Sequence, residues 1–295
     1  MTIPMYSRSS DIKTFVTGED CEGNWLLKHL YKDELPDTTW FILGTAVHET
    51  IEHSILNDWS LDEMLGDVDL NLMMAVGEAT NGILESTAKN AKRSKATMRD
   101  DAQRLTTRWY NAAHPEGNVR NPIFDLYDWP PKVEHRIVVK PRDMGRQLYT
   151  TVDAIFEGGP DGEAVMIVDW KTGSTTSAPH SQLQTYFFGG LEEGWIEEDA
   201  NELLVGRFFH VDHFKDEPVF DYYGDTVIDT WIKRTHDTKM AMLDHGPAFS
   251  PDWYCKYCPA RQACPLRGDG SFKDIGNRLD SIRLTYIPTD RKEDK

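Results

Sequence analysis

After about residue 132, the spacing of apolar residues changes from the three-to-four repeat of amphipathic helices to a repeat of two. Three β-branched segments follow one another, "VEHRIVVK", "QLYTTVDAIF" and "AVMIVDW", and the turn "PRDMG" predicts a hairpin between the first two. A helical segment, "HSQLQTYFFGGLEEG", comes next, followed by two strand segments, "ELLVGRFFHVDHF" and "EPVFDYY", and a late helix, "TVIDTWIKRTHDTKMAML". This order predicts an α/β fold with a mixed central sheet flanked by helices.

The first part of the chain has a helical pattern instead. The predicted helices are 21–31, 41–56, 70–90 and 97–113, and the breaks are Pro36 and the Pro-, Gly- and Asn-rich stretch 113–131. We therefore divide the chain into a helical N-terminal region (1–131), an α/β core (132–225), a late helix with a cysteine-rich segment (226–270) and a tail (271–295).

The charge balance limits how this chain can meet nucleic acid. With 49 acidic and 32 basic residues, the formal net charge is -17. Such a surface repels a polyanion, so any contact with nucleic acid is confined to a local basic groove. The sequence has neither an apolar run long enough to cross a bilayer nor the apolar core of a signal peptide at its start. We expect a cytoplasmic protein with no membrane segment.

The third strand segment ends on two opposite charges, Asp169 and Lys171. Alternation along a strand puts both on one face and Trp170 on the other. An isolated pair of this kind is most often a salt bridge at a strand end. However, the preceding strand carries Asp153 within an apolar run, and two neighbouring carboxylates repel each other unless a cation lies between them. Mg²⁺ and Mn²⁺ prefer such oxygen ligands, and a lysine beside them suits the activation of water or the neutralisation of a phosphate.

These residues resemble the D…(D/E)-x-K core of the restriction-endonuclease-like, or PD-(D/E)xK, nucleases. Two further motifs narrow the resemblance to the RecB-like branch. Gly44-x-x-x-His48 resembles its first motif, and Gln182-x-x-x-Tyr186 resembles its last one. The triplet alone is a weak signal, but the ordered set is a strong one; it consists of His48, Asp153, Asp169, Lys171, Gln182 and Tyr186.

The resemblance implies a fold, an activity and a role for each residue. The fold is the restriction-endonuclease-like one, and the activity is metal-dependent hydrolysis of single-stranded DNA or DNA ends by an exonuclease. His48, Asp153, Asp169 and the main-chain carbonyl of Trp170 would hold Mg²⁺ or Mn²⁺. Lys171 would position and help to deprotonate the attacking water, while Gln182 and Tyr186 would orient the DNA strand or Lys171. A non-catalytic DNA-end-binding or scaffold module is the alternative from another functional class.

Two glutamates are candidates for a supporting role. Glu52 lies four residues after His48 on the same helical face, and Glu134 lies on the first strand. A zincin motif is excluded, because His48 and His53 are five residues apart and face differently. The pair His210 and Asp212 also has ligand chemistry, but edge-strand alternation explains it more simply.

The four cysteines form the second constellation. Cys255-x-x-Cys258 is followed by Cys264, and Cys21 lies more than two hundred residues earlier. Four thiolates suit either a tetrahedral zinc or an iron-sulfur cluster, and the spacing does not distinguish them. The arrangement resembles the [4Fe-4S] staple of the AddB-type and CRISPR-associated exonucleases, which implies iron. A staple of this kind would tie the first helix to the C-terminal part, so its loss should destabilise the fold.

Basic residues are modest in number and form two groups. The first comprises Lys89, Lys92, Arg93, Lys95 and Arg99, and the second comprises Lys132, Arg136, Lys140, Arg142 and Arg146. Either group is a candidate for phosphate contact or simply a solvated face, and binding should be sensitive to salt. We expect DNA as the partner, together with a homo-oligomer or with proteins of recombination or CRISPR adaptation.

Overall fold

The computed structural model describes residues 2–17, 21–85, 94–114, 124, 126–139, 147–159, 164–173, 180–196, 204–211, 215–219, 222–249, 255, 258–261, 263–266, 278 and 282–285. Its central feature is a five-stranded sheet in the order β4-β5-β6-β7-β8. The strands are β4 (Lys132–Val139), β5 (Leu148–Phe156), β6 (Val165–Lys171), β7 (Leu204–His210) and β8 (Lys215–Val219).

The pairing in this sheet is mixed. β5 runs antiparallel to both of its neighbours, β4 and β6, whereas β6 pairs with β7 in parallel and β8 returns antiparallel to β7. The parallel step needs a crossover, which contains a helix between β6 and β7. The mixed sheet and the antiparallel pairing of its first two strands confirm the sequence prediction.

Two short parallel ribbons lie outside the central sheet. β1 (Thr2–Pro4) pairs with β9 (Arg283–Thr285), and β2 (Asp37–Thr38) pairs with β3 (Ile83–Leu84). The first ribbon joins the two ends of the described chain.

The principal helices agree with the sequence pattern in type and in most of their bounds. They are α1 (Ser9–Ile12), which continues into a π-helical turn at Lys13–Thr17, α2 (Glu22–Leu30), α3 (Thr39–Asn57), α4 (Leu61–Glu78), α5 (Met98–Ala113), α6 (His180–Glu193) and α7 (Asp225–His245); a short 3-10 turn, Lys95–Thr97, precedes α5. Among the described residues, every helix is too short or too polar to span a bilayer.

Two predicted elements, a helix and the last strand, have bounds that differ from the prediction. The helix expected at 70–90 is α4, which begins at Leu61 and ends at Glu78. It begins early because Ser60 Oγ accepts a hydrogen bond from the amide of Glu63 at 3.5 Å, while Ser60 N donates to Glu63 Oε2 at 2.8 Å. It ends before Gly82, which has a φ of 92° and leads into β3. The last strand also begins earlier, at 215 rather than 217.

Helices cover both faces of the sheet. One buried layer packs α3, α4 and α5 against Phe156, Val168 and Trp170 of the sheet. A second layer packs α6 and α7 against Ile155 and Ile167. Because both faces of β6 are covered, its middle is apolar throughout, and its charged residues lie only at the carboxyl end of the strand.

A third buried cluster lies beside the sheet and joins the two ends of the chain. It contains Trp25 and Leu26 of α2, Met242 of α7 and Ala260 of the cysteine-rich segment. The fully buried Lys239 side chain stabilises this junction, because its Nζ donates to Asp11 Oδ2 at 2.7 Å and to the carbonyl of Tyr6 at 2.8 Å. Burial lowers the pKa of Lys239, whereas the negative charge of Asp11 opposes that shift.

Candidate active site

The end of β6 presents its two charges to one side, as the alternation predicts. Lys171 Nζ forms an ion pair with Asp169 Oδ1, and only 2% of the Asp169 side chain is exposed. The Trp170 ring points to the opposite face, where it packs edge-on against Trp109 and Phe209. The large apolar ring thus fixes the strand end while both charges face α6.

Gln182 connects the charged pair to helix α6. Its Oε1 accepts a hydrogen bond from Lys171 Nζ at 2.7 Å, and its Nε2 donates to Asp169 Oδ2 at 2.6 Å and to the Tyr186 hydroxyl at 2.7 Å. One amide therefore contacts both charges at once, because its oxygen accepts a hydrogen bond and its nitrogen donates one. It holds the ammonium and the carboxylate in a fixed relation.

Tyr186 completes this network one helical turn later. Its hydroxyl donates to Asp169 Oδ2 at 3.3 Å, and its ring is buried. Burial, reinforced by the negative charge of Asp169, raises the pKa of the Tyr186 phenol well above its ordinary value. The phenol therefore stays neutral and remains a hydrogen-bond donor.

Asp153 lies on the neighbouring strand β5, against the backbone of β6. Its Oδ2 accepts a hydrogen bond from Trp170 N at 2.8 Å. Burial and the nearby charge of Asp169 raise the pKa of Asp153 well above its usual value. Two acids from adjacent strands thus meet at one point, as the sequence predicted, and they disfavour each other's charge.

His48 reaches the same point from α3. Its Nδ1 lies 3.4 Å from Asp153 Oδ2, and its ring forms a hydrogen bond with the main chain of Trp170. Burial lowers the pKa of His48 although 27% of its side chain is exposed, so the neutral imidazole is favoured at neutral pH. A neutral imidazole has a lone pair available for a metal.

Gly44 allows α3 to approach the end of β6. A Cβ atom at this position would lie 3.3 Å from Thr172 Oγ1, which is tighter than an ordinary contact. The spacing of Gly44 and His48 therefore has a direct cause: the glycine brings the helix close, and the histidine one turn later reaches the carboxylates.

A cleft of about 530 Å³ opens beside His48. It is lined by Trp40, Phe41, Gly44, Thr45, His48, Glu49, Glu52 and Glu134. Both glutamates that the sequence suggested as supporting residues therefore line the same cleft as His48. Trp40, Phe41 and Glu49 were missed, although Phe41 precedes His48 by two helical turns on the same face, a spacing that could have revealed it.

Glu134 has an unusual backbone and an unusual side-chain environment. Its φ of 46° is left-handed, which costs energy in a residue with a Cβ. The neighbouring pairs Val133 with Ala154 and His135 with Val152 place it opposite Asp153. The side chain is largely exposed, but its partial burial, together with the charges of Asp153 and Glu52, raises the pKa of Glu134 to about 7.

The donor set at this point fits a hard divalent cation. It combines a neutral imidazole with two carboxylates, and the buried Asp169 Oδ1 accepts no hydrogen bond within the described residues although it pairs with Lys171. As the side chains stand in the described ranges, no three His, Cys, Asp or Glu residues are grouped closely enough to hold a metal. In this arrangement Lys171 supplies the positive charge that the two acids require.

The structure brings the four cysteines together. Cys21, Cys255, Cys258 and Cys264 line one pocket of about 30 Å³, beside Leu27 and Phe249, and all four are free thiols. Burial raises the pKa of Cys258 to about 11, and its thiol donates to Asn24 Oδ1 at 3.2 Å. Thiols crowded in an apolar pocket suit a soft metal, because a cation would offset the cost of burying thiolates.

The described members of the predicted basic groups are not among the residues that line the cleft; they are Lys95, Arg99, Lys132 and Arg136. Arg99 Nε donates to Asp69 Oδ1 at 3.0 Å, and Lys132 Nζ donates to Glu157 Oε1 at 2.6 Å. Lys89, Lys92, Arg93, Lys140, Arg142, Arg146 and also Asp212 fall outside the described residues. His210 is buried and pairs in register with Lys171 across the parallel strands.

Comparison with known proteins places the chain in a family. The family model of the PD-(D/E)XK nuclease superfamily matches residues 12–265. No curated protein matches the chain. Among ten solved chains that match is one described as "Crystal structure of SSO0001", which is 14% identical, with 82% of this chain and 95% of that chain covered and a TM-score of 0.35. The mixed α/β architecture is consistent with the restriction-endonuclease-like fold, and the chain belongs to the PD-(D/E)XK nuclease superfamily.

Proposed function

We propose that this protein is a metal-dependent DNA exonuclease of the RecB-like branch, which hydrolyses phosphodiester bonds in single-stranded DNA or at DNA ends. Membership of the superfamily gives a nuclease and implies DNA as its substrate. One observation supports the more specific proposal most strongly. Gln182 joins Asp169, Lys171 and Tyr186 in a single hydrogen-bonded network at the end of β6, and residues of these types in this order are what the branch requires.

Lys171 is the residue that acts on water in this proposal. Gln182 holds its ammonium group beside Asp169, so its position is fixed before the substrate arrives. It orients the attacking water and stabilises part of the negative charge that develops on the phosphate. Gln182 and Tyr186 are positioning residues, since their side chains form hydrogen bonds with Asp169, with each other and, for Gln182, with Lys171.

His48, Asp153, Asp169 and the main-chain carbonyl of Trp170 would hold Mg²⁺ or Mn²⁺. When bound, such an ion lowers the pKa of water and stabilises negative charge on the phosphate. The raised pKa of Asp153 and the lowered pKa of His48 are what such a site would have without its cation, because two nearby acids resist ionisation and a buried imidazole stays neutral. Glu52 and Glu134 would support these ligands without binding the metal themselves.

The cysteine pocket would hold a [4Fe-4S] cluster, with zinc as the alternative. Its four thiols match the number of ligands of either group. The pocket joins α2 to the segment after α7, so a bound cluster would fasten the helical region to the C-terminal part. Visible absorption of the purified protein would support iron, whereas a colourless protein containing one zinc would reject it.

The test is DNA degradation by matched variants. Wild-type protein, Asp169→Ala, Lys171→Ala and Lys233→Ala are incubated with end-labelled single-stranded DNA and Mn²⁺. We expect Lys171→Ala to lose about 10²- to 10³-fold in rate and Asp169→Ala at least as much. Lys233→Ala should retain full activity, because Lys233 pairs only with Asp237 on the surface of α7 in the described contacts.

Two results would contradict the proposal. Equal degradation by all four proteins would assign the cleavage to a contaminant. Tight binding of DNA ends without cleavage by the wild type would favour a non-catalytic end-binding module. Circular single-stranded DNA separates the exonuclease from an endonuclease, since a strict exonuclease leaves it intact.

A further inference from the structure

Phe41 is a large apolar side chain at the mouth of the candidate active site, and 65% of its surface is exposed. It lines the same cleft as His48 and lies on the same helix, α3. Burying such a ring in the protein core would be favourable by roughly 1.5–3 kcal/mol. Its exposure beside a catalytic site therefore requires an explanation.

The spacing along α3 relates this ring to the metal-binding end of the cleft. Phe41 and His48 are seven residues apart, which is about two turns or roughly 10 Å along the helix axis. Gly44 and Thr45 line the cleft between them, and the glycine has no side chain to interrupt a ligand. A strand with its phosphate beside His48 would therefore have a neighbouring nucleotide over Phe41.

The two ends of the cleft differ in charge. Glu49, Glu52 and Glu134 line the end beyond His48, where they repel a phosphate backbone. The other end lies at the first turn of α3, where Thr38 Oγ1 accepts a hydrogen bond from Phe41 N at 3.2 Å. A helix begins with a partial positive charge. A DNA strand is thus favoured over Phe41 and disfavoured over the glutamates.

We infer that Phe41 is a stacking platform for one base of the DNA strand, adjacent to the nucleotide whose phosphodiester bond is cut. The inference rests on the proposed nuclease function, since it needs a scissile phosphate beside His48. Aromatic rings bind bases of any sequence through their faces, each stacked base contributing about 1–3 kcal/mol. The subsite would therefore favour unstacked, single-stranded DNA without reading its sequence.

Substrates with a single abasic position test this inference. In a series of oligonucleotides, one base is removed at successive positions around the cleaved bond, and kcat/KM is measured for each. With wild-type protein, one position should lower kcat/KM by about tenfold. With Phe41→Ala, the intact substrate should lose a similar factor, and removal of that base should then have no further effect, because the two changes remove one contact.

Two variants control for general effects on α3. Phe41→Trp retains an aromatic face and should keep both the activity and the abasic effect. Leu56→Ala removes another large exposed side chain of the same helix, 53% exposed and not among the residues that line the cleft, and should behave as wild type.

A parallel measurement separates failure of the subsite from failure of the proposed function. A fluorescent adenine analogue placed at successive positions from the DNA end reports stacking by quenching, without any need for cleavage. Cleavage by wild type with an abasic effect that Phe41→Ala leaves unchanged would overturn the subsite alone. No cleavage by wild type, together with equal quenching in wild type and Phe41→Ala, would overturn both. No cleavage but quenching lost in Phe41→Ala would keep the subsite and reject hydrolysis.

Discussion

The candidate active site and the cysteine pocket use opposite physical means to bring reactive groups together. At the end of β6, charged and polar side chains of β6 and α6 satisfy one another through short hydrogen bonds, as Gln182 does for Asp169 and Lys171. In the pocket, the four thiols lie beside Leu27 and Phe249, and the Cys258 thiol donates to Asn24 Oδ1 at 3.2 Å. The first set is held by hydrogen bonds to charged groups, whereas the hydrogen bonds of Cys258 are with uncharged groups.

The two regions also differ in access. The cleft has a volume of about 530 Å³, and the cysteine pocket has about 30 Å³. A wide cleft allows a substrate to enter and leave, whereas a small pocket suits a group that is bound once and retained. We therefore expect changes in the cleft and its network to affect activity, and changes in the cysteine pocket to affect stability.

The largest expected effect is on stability. Cys258→Ser removes one of the four proposed ligands, and complete loss of the proposed metal would lower the free energy of unfolding by an amount on the order of 10 kcal/mol. Denaturation of wild type, Cys258→Ser and Asp169→Asn, with metal content measured in parallel, checks this. Asp169→Asn should lose activity but stay folded. If Cys258→Ser unfolds like wild type and retains its metal, the pocket has no structural role.

The second effect is on catalysis alone. Gln182→Ala removes the amide that contacts both Lys171 and Asp169 and should lower kcat by about 10²-fold, because the ammonium then keeps only its ion pair with Asp169 and is less well positioned. The melting temperature should change little. Gln103→Ala, on α5, is the matched control, since Gln103 Nε2 also donates to a carboxylate oxygen, Asp69 Oδ1, at 3.0 Å. Equal losses in the two variants would mean that the effect is not specific to the active site.

The third effect concerns pH. The folded pKa of Glu134, about 7, lies above its ordinary value of 4.5, so the folded state binds more protons between these values. The contribution of Glu134 to stability is therefore present at low pH and falls as pH rises through about 7. After allowance for solvent screening, we expect about 1–2 kcal/mol.

Chemical denaturation of metal-free protein at pH 5 and pH 8 measures this change. Glu134→Gln cannot ionise, so its stability should fall less than that of the wild type over the same interval. Parallel pH dependences in the two proteins would show that Glu134 has the same pKa folded and unfolded.

The smallest effect is expected for Tyr186→Phe. The ring stays buried, and the hydroxyl's hydrogen bonds with Asp169 and Gln182 are lost while Gln182 keeps its contacts with Asp169 and Lys171, so activity should fall about fivefold, which corresponds to about 1 kcal/mol. Tyr110→Phe, on α5, serves as the control. A loss as large as that of Gln182→Ala would instead mean that the hydroxyl acts directly on the substrate.

Much of the fold was predictable, because local periodicity determines it. The strand β6 and the charges at its end follow from alternation, and α6 places Gln182 and Tyr186 on one face through a spacing of four residues. The bounds of α4 were not predicted, because a capping box at Ser60 sets its beginning and a left-handed glycine at Gly82 follows its end, and both outweighed the apolar pattern.

The cleft was only partly predictable for a different reason. His48 and Glu52 share a helical face, and a sequence pattern can reveal that. The left-handed backbone of Glu134 and its position opposite Asp153 depend on pairing between β4 and β5, which leaves no signal in the local sequence.

By itself, the sequence determined which residues carry charge or sulfur, which strand and helices they occupy and which face each one takes. These properties depend on neighbours a few residues away, where the helical and strand repeats act. Only the tertiary structure decided that Cys21 meets Cys255, Cys258 and Cys264 in one pocket, and that an exposed Phe41 lies in the cleft of His48. The cysteines are far apart in the chain, and the exposure of Phe41 depends on what packs around α3, so both are decided only when the helices pack against the sheet and bury their apolar faces.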